Sequence, residues 1–126
     1  MPGTKCNAFP IREIIVGYNV AAVTASLYLN EVILPFKGRI LAVKVYAVTA
    51  GTGAGNTVVD VLLNGTTIWA TAANKPTLLA TATGEFANTM PTTQSFNESD
   101  RLTLIVASIS TTGHARLSVS VAVGMP

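Results

Sequence analysis

Short runs of alternating apolar and polar residues occupy most of the chain, and the run at residues 57–70 predicts a β-hairpin. Its centre is Asn64-Gly65, a strong hairpin signal because a type I′ turn needs positive φ at both central residues. A two-residue turn fixes the register and places Leu63 opposite Thr66. The hairpin face predicted to line the core comprises Val59, Val61, Leu63 and Ile68.

The opposite face of this hairpin carries a polar residue among apolar ones. It is predicted to hold Val58, Asp60, Leu62 and Trp69, with Trp69 opposite Asp60. This face is too apolar to be left entirely in water, so we expect it to meet another surface of the fold or a neighbouring subunit. Val58, Leu62 and Trp69 are therefore candidate contacts. Trp69 and Tyr46 also have the ring surface to stack on a sugar, although such residues more often fill a core or an oligomer interface.

The remaining apolar runs predict further strands separated by turn residues. These strands fall at residues 11–18, 27–34, 39–49, 75–79, 101–109 and 116–123. In the long third strand, one side is predicted to present Leu41, Val43, Val45 and Ala47, and the other Ile40, Ala42, Lys44 and Tyr46. Residues 20–26 fit a strand or an irregular crossing, and residues 80–95 an irregular binding loop or subunit contact. Seven or eight strands without a long helix predict an all-β, antiparallel two-sheet β-sandwich of jelly-roll type.

The chain length of 126 residues suits one folded core. We expect residues 1–30 to supply an extended N-terminal arm and the first strand or strands, and residues 31–126 to form the sandwich. Three residues of the opening segment are candidate contacts with other subunits, namely Cys6, Phe9 and Ile11. Cys6 is the single cysteine, so it forms no intrachain disulfide and is either a passive thiol or a link between chains.

Charged residues are unusually scarce. They make up 11% of the chain against 49% hydrophobic residues, and the net charge is +2. A typical soluble domain is roughly 25% charged. This deficit indicates either that other subunits cover much of the surface or that Thr, Ser and Asn wet it. The scattered basic residues form no stripe for nucleic acid, and no apolar run is long enough for a membrane helix.

Motifs for chemistry are weak throughout the sequence. Gly51, Gly53 and Gly55 lie in a flexible glycine loop at residues 50–56, but a phosphate-binding loop would be followed by a helix and here a strand follows. His114 is the single histidine and is interpreted as a turn residue without a catalytic partner at motif spacing. An Asx-type turn explains Asn97, Glu98 and Asp100 better than a calcium loop does. We therefore expect no enzyme activity, cofactor or metal site.

Several segments together resemble a β-sandwich module of tailed-phage structural proteins. They are Pro35-Phe36-Lys37-Gly38-Arg39-Ile40, Ala50-Gly51-Thr52-Gly53, Val59-Asp60-Val61-Leu62-Leu63-Asn64-Gly65-Thr66-Thr67-Ile68, Asn74-Lys75-Pro76-Thr77 and Asp100-Arg101-Leu102-Thr103-Leu104. The resemblance covers roughly residues 33–123 and rests on turns and strand alternation. Such modules occur in head decoration proteins, head fibres, and tail-fibre or baseplate components.

The resemblance implies a non-enzymatic capsid decoration or cementing protein on the virion surface. It implies a homo-oligomer, expected to be a trimer, that contacts the major capsid protein or another virion protein and binds neither nucleic acid nor membrane. The alternative is a tail-fibre or baseplate module that contacts host glycans through loops 50–56 and 80–95.

Overall fold

The computed structural model describes residues 12–86 and 91–124. Within them, ten strands form two antiparallel sheets, and the helical segment Ala72–Asn74 is a single 3-10 turn. The strands are β1 (Arg12–Asn19), β2 (Tyr28–Ile33), β3 (Gly38–Thr49), β4 (Asn56–Leu63), β5 (Thr66–Thr67), β6 (Thr77–Leu79), β7 (Gly84–Phe86), β8 (Ser95–Phe96), β9 (Arg101–Ser108) and β10 (Ala115–Gly124).

The two sheets pack as a β-sandwich, which confirms the predicted all-β class. Sheet A has the strand order β1-β10-β3-β7, and β8 also pairs with β3. Sheet B has the order β2-β9-β4-β5, and β6 also pairs with β4. The chain therefore crosses between the sheets at most connections, and each long strand contributes one face to the shared core.

The core lies between the sheets and is lined by the alternating residues of the long strands. In β10 and β9 the predicted inward residues are almost completely buried: Leu117, Val119, Val121, Val123, Leu102, Leu104 and Val106. This outcome confirms the predicted alternation, since a strand with one face on a core must point every second side chain inward.

The central hairpin forms with the predicted turn and register. Asn64 and Gly65 have φ values of 53° and 87°, and Leu63 pairs with Thr66. The prediction for Trp69 is wrong, because this side chain is only 1% exposed and belongs to the core cluster. The ladder of β4 and β5 ends at Thr67, so the strand alternation no longer determines where Trp69 points.

The predicted faces of β3 are wrong at the start of that strand. Ala42 pairs with Ala122 but Ile40 pairs with Val123, so Leu41 is an extra residue in β3. A bulge of one residue exchanges the two faces on one side of it. Consequently Ile40 is fully buried beside Val43, Val45 and Ala47, whereas Leu41 is only partly buried.

β1 and β2 are integral strands of the sandwich. β1 pairs with β10 along its whole length and β2 pairs with β9, so residues 12–30 belong to the same folded unit as the rest. A glycine inside a strand often marks a bulge or bend, yet β1 continues through Gly17 to Asn19. A Cβ at Gly17 would lie 2.7 Å from the Cβ of Leu29, so the glycine permits close approach of β2.

The segments expected to be irregular contain some strand structure. Residues 20–26 form an irregular crossing between the sheets, one of the two predicted alternatives. Within residues 80–95, β7 and the start of β8 pair with β3. These short strands have little alternation of their own, and β3 supplies the hydrogen-bonding edge that holds them.

Candidate functional site

The outer surface of sheet A is the largest exposed apolar feature among the described residues. We call it the sheet A face, and it comprises Ile14, Val16, Tyr18 and Val20 from β1 and its end, Ser118, Ser120 and Ala122 from β10, and Ala42, Lys44, Tyr46 and Val48 from β3. Of the nine large apolar side chains exposed in the described part of the chain, six lie on this face. Exposed apolar surface in one patch marks an interaction site, whereas isolated exposed residues do not.

The register aligns these side chains in rows across three strands. Tyr18, Ser118 and Tyr46 form one row, in which the two tyrosines are 50% and 53% exposed. The next row places Val16 beside Ser120. Lys44 stands on the other side of Ser120, so in these two rows large side chains on β1 and β3 flank a serine of β10 and leave a groove above it. In the third row Ala122 lies between Ile14 and Ala42, so only β1 supplies a large wall there.

Sheet B differs from the sheet A face because it exposes three of the nine large apolar side chains, Tyr28, Ile33 and Leu79, and also carries ion pairs. Asp60 is 6% exposed, and its carboxylate contacts Lys75 Nζ at 3.0 Å and accepts the Thr67 hydroxyl at 2.6 Å. On the neighbouring strands, Arg101 Nε lies 3.3 Å from a carboxylate oxygen of Glu31. Paired charges satisfy one another here, so this surface has less need of a partner than the sheet A face.

The residues that the sequence proposed as contacts do not form one surface. Tyr46 lies exposed on the sheet A face, where its role as a contact stays a prediction. Val58 and Leu62 are half-buried on β4 in the other sheet, and Trp69 is unavailable inside the core. Cys6, Phe9 and Ile11 lie outside the described residues, as does the predicted arm.

Sequence reasoning missed the exposed residues of β1. Ile14, Val16 and Tyr18 are 68%, 47% and 50% exposed, and they were treated only as part of an apolar strand. The available signal was that both parities of this strand are apolar, since Ile15 lies between Ile14 and Val16. A strand apolar on both faces in an antiparallel sandwich indicates a surface that is covered from outside.

His114 is completely buried and connects three segments. Its Nε2 lies 3.0 Å from the carbonyl oxygen of Leu79 and 2.9 Å from that of Ala82, while Nδ1 lies 2.8 Å from Thr57 Oγ1. Carbonyl oxygens only accept, so Nε2 carries a proton and donates to them. In the neutral ring Nδ1 then accepts the Thr57 hydroxyl. The histidine is a structural hydrogen-bonding centre, and no local pattern around His114 predicts its burial.

Asp100 organises the turn before β9. One carboxylate oxygen accepts the Asn97 backbone N–H at 2.8 Å and the other accepts the Asn64 side-chain amide at 3.0 Å. These two hydrogen bonds, the Asn97 contact foremost, lower the pKa of Asp100 from its ordinary 3.8. The Asp100 backbone N–H also donates to the Asn97 carbonyl oxygen at 3.1 Å, so the predicted turn is present. It is a β-turn that the Asp100 carboxylate closes backward onto Asn97, whereas in an Asx turn the side chain accepts from a backbone N–H two residues further on.

No protein-family model matches the chain, and comparisons with curated proteins and with solved structures also found no match. Any function must therefore be argued from the surfaces described above and from the sequence resemblance.

Metal binding and membrane crossing by a helix each require a particular arrangement of residues. In residues 12–86 and 91–124, no group of three or more His, Cys, Asp or Glu side chains is placed to hold a metal ion. No helix in the same ranges is long and apolar enough to cross a membrane. The glycine loop at residues 50–56 packs on the turn before His114, where Thr52 bridges to Thr112 and the Thr111 hydroxyl contacts the Ala54 backbone.

Proposed function

We propose that this chain is a non-enzymatic structural subunit of a tailed-phage virion, a capsid decoration or cementing protein that acts by association with further copies and with the capsid. The sheet A face is the observation that carries this proposal. A surface with six large exposed apolar side chains is costly in water and becomes favourable when covered. Burial of apolar area stabilises by roughly 25 cal/mol per Å², so repeated modest contacts give strong attachment.

The strand order gives further support. We infer that the sandwich is a jelly roll, because the first strand pairs with the last and the second with the ninth, while β3 and β4 complete the two sheets. Double-sheet jelly rolls are a common architecture of viral capsid and lectin domains. Between viral capsid domains and lectin domains, the sequence segments that resemble tailed-phage modules favour the viral class.

Immunogold electron microscopy tests where the protein acts. Antibodies raised against the purified chain are applied to intact particles from a lysate in which the chain is produced. Gold on the heads is the expected result. Gold confined to tail tips would replace the proposal with the alternative of a receptor-binding module that contacts host glycans. Absence of gold from all particles, with the protein present in the soluble fraction, would overturn the virion assignment.

A binding assay tests the attachment itself. Purified protein is titrated onto capsids stripped of it and sedimented with them. A decoration protein should saturate at a fixed number of copies per capsid, because the lattice offers a fixed number of equivalent positions. Binding that rises without saturation, or does not occur, would contradict the proposal.

A further inference from the structure

We propose that a second copy of this chain docks on the sheet A face, with the β1 ridge of each copy seated in the β10 groove of the other. The β1 ridge is the row Ile14, Val16 and Tyr18, and the β10 groove is the channel floored by Ser118, Ser120 and Ala122. The inference rests on the proposed function in that it specifies the self-association which that function requires, and it replaces the trimer that the sequence resemblance implies with a twofold dimer.

The shapes of ridge and groove match in width. The ridge is a single row of side chains from one strand, and the groove is the space above one strand between its two neighbours. Neighbouring strands lie about 4.8 Å apart, so the backbones of β1 and β3, whose side chains form the walls, are roughly 10 Å apart. A valine or isoleucine row from a facing sheet fits between such walls when sheets pack about 10 Å apart face to face.

A second copy is the occupant that uses both features at once. Ridge and groove lie side by side on one face, since β1 and β10 are paired neighbours. A twofold axis parallel to the strands and midway between β1 and β10 places each ridge over the other copy's groove. This is an isologous contact, which closes as a dimer and satisfies the same patch on both chains.

The area of the face is close to what such a contact needs. Six large side chains that are each about half exposed offer on the order of 600 Å² of accessible surface. Stable interfaces bury about 800 Å² on each partner, and the small β10 side chains supply part of the difference. The charge on the sheet A face comes from Lys44, and Arg116 lies at the end of the face. A long lysine or arginine side chain extends its charged group to the rim of a contact when its surroundings are buried.

Other surfaces of the described chain are less suited to a second copy. The edge of β1 is partly blocked, because Asn30 Nδ2 donates to the Val16 carbonyl oxygen at 2.8 Å and thereby occupies an acceptor that an added strand would need. Sheet B exposes three large apolar side chains, against six on the sheet A face, and it also carries two ion pairs. Face-to-face packing of sheet A is therefore favoured over extension of a sheet.

Sedimentation equilibrium on the full chain tests the inference. The wild-type protein should be a dimer at micromolar concentration. Val16→Lys, in the middle of the ridge, should weaken the dissociation constant by about 100-fold or more, because the symmetric contact contains the change twice. Ser120→Trp, which fills the groove, should also give monomers. Ile33→Lys is the matched control, because Ile33 is 62% exposed on sheet B, and it should leave the dimer intact.

Circular dichroism and thermal unfolding first establish that each variant folds. A monomeric wild type at 100 μM, a trimeric mass, or a dimer that tolerates both Val16→Lys and Ser120→Trp would overturn the inference. These outcomes are separate from failure of the proposed function. A dimer that never locates to particles refutes the virion role alone. Gold on heads, together with a dimer that both Val16→Lys and Ser120→Trp leave intact, refutes the sheet A contact alone.

Discussion

Removal of the buried histidine ring is the most informative single perturbation of this fold. His114→Ala empties a site that is fully closed to solvent, and large-to-small changes at such sites cost about 2–5 kcal/mol. It also removes the ring's contacts with the Thr57 hydroxyl and the Ala82 carbonyl. The Leu79 carbonyl oxygen loses the ring as well, but it still accepts the Ala82 backbone N–H at 3.0 Å. The loss of the ring at Leu79 therefore costs less stability than the loss at Ala82.

The expected loss is about 4 kcal/mol. We take roughly 2 kcal/mol for the cavity and roughly 1 kcal/mol for each of the two polar groups that lose this partner. A domain of this kind is stable by about 5–15 kcal/mol, so the variant should remain folded at low temperature with a much lower margin. Because urea m values are about 1–3 kcal/mol/M, the unfolding midpoint should fall by roughly 2 M.

Urea unfolding followed by circular dichroism measures this loss. Two variants separate the contributions to this loss of stability. Thr57→Val keeps the ring and should cost about 1 kcal/mol, since it removes one hydroxyl. His114→Gln keeps a donor near the two carbonyls and more of the volume, so it should recover part of the loss. Nitrogen NMR of the wild type should find the ring proton on Nε2. A loss below 1 kcal/mol for His114→Ala, or a proton on Nδ1 alone, would refute the reasoning.

Three further perturbations test other parts of the sandwich by urea unfolding. Gly17→Ala should cost about 1–3 kcal/mol because its Cβ would lie 2.7 Å from that of Leu29, and Leu29→Gly in the same chain should reduce that cost. Lys75→Met should cost about 1–3 kcal/mol, since Asp60 loses its ion-pair partner at 3.0 Å, and adding Asp60→Asn should restore part of it. The pKa of Asp100 is lowered in the folded state, so its contribution is complete above pH 3.8 and disappears as pH falls through the lower folded value. Asp100→Asn should therefore lower the free energy of unfolding at pH 7. It should also make that free energy fall less steeply as pH drops below 3.8, and a variant with the same acid dependence as the wild type would contradict this.

The fold class was predictable because its signals are local. Alternation in β10 and the Asn64-Gly65 turn each depend on a few adjacent residues, and both appear in the structure as expected. The errors arise where a distant strand decides the outcome. Leu41 becomes the extra residue of a bulge only because β10 pairs with β3 on either side of it. Trp69 enters the core because the short β5 ends before it.

The candidate site was less predictable than the fold for the same reason. The sequence pointed to the outer face of the central hairpin, yet Asp60 there is covered by Lys75, which lies beyond the end of the hairpin in the chain. The same reasoning gave little weight to the apolar residues of β1. Whether Val16 is exposed depends on its neighbours in β10 and on the lack of any described segment above them. Periodicity predicts which side chains share a face, and only the assembled sheets determine which face is left uncovered.

The few charged residues of the chain are distributed unevenly between the two sheets. In the described residues, four ionic side chains pair on sheet B, as Asp60 with Lys75 and Glu31 with Arg101. The sheet A face has no acidic residue among its eleven defining positions. Sheet B therefore combines ion pairs with three exposed large apolar side chains, whereas the sheet A face carries six such side chains. The proposed packing of copies through sheet A would leave the ion pairs of sheet B facing water, which is the arrangement expected of a subunit that packs on copies of itself and still coats an aqueous surface.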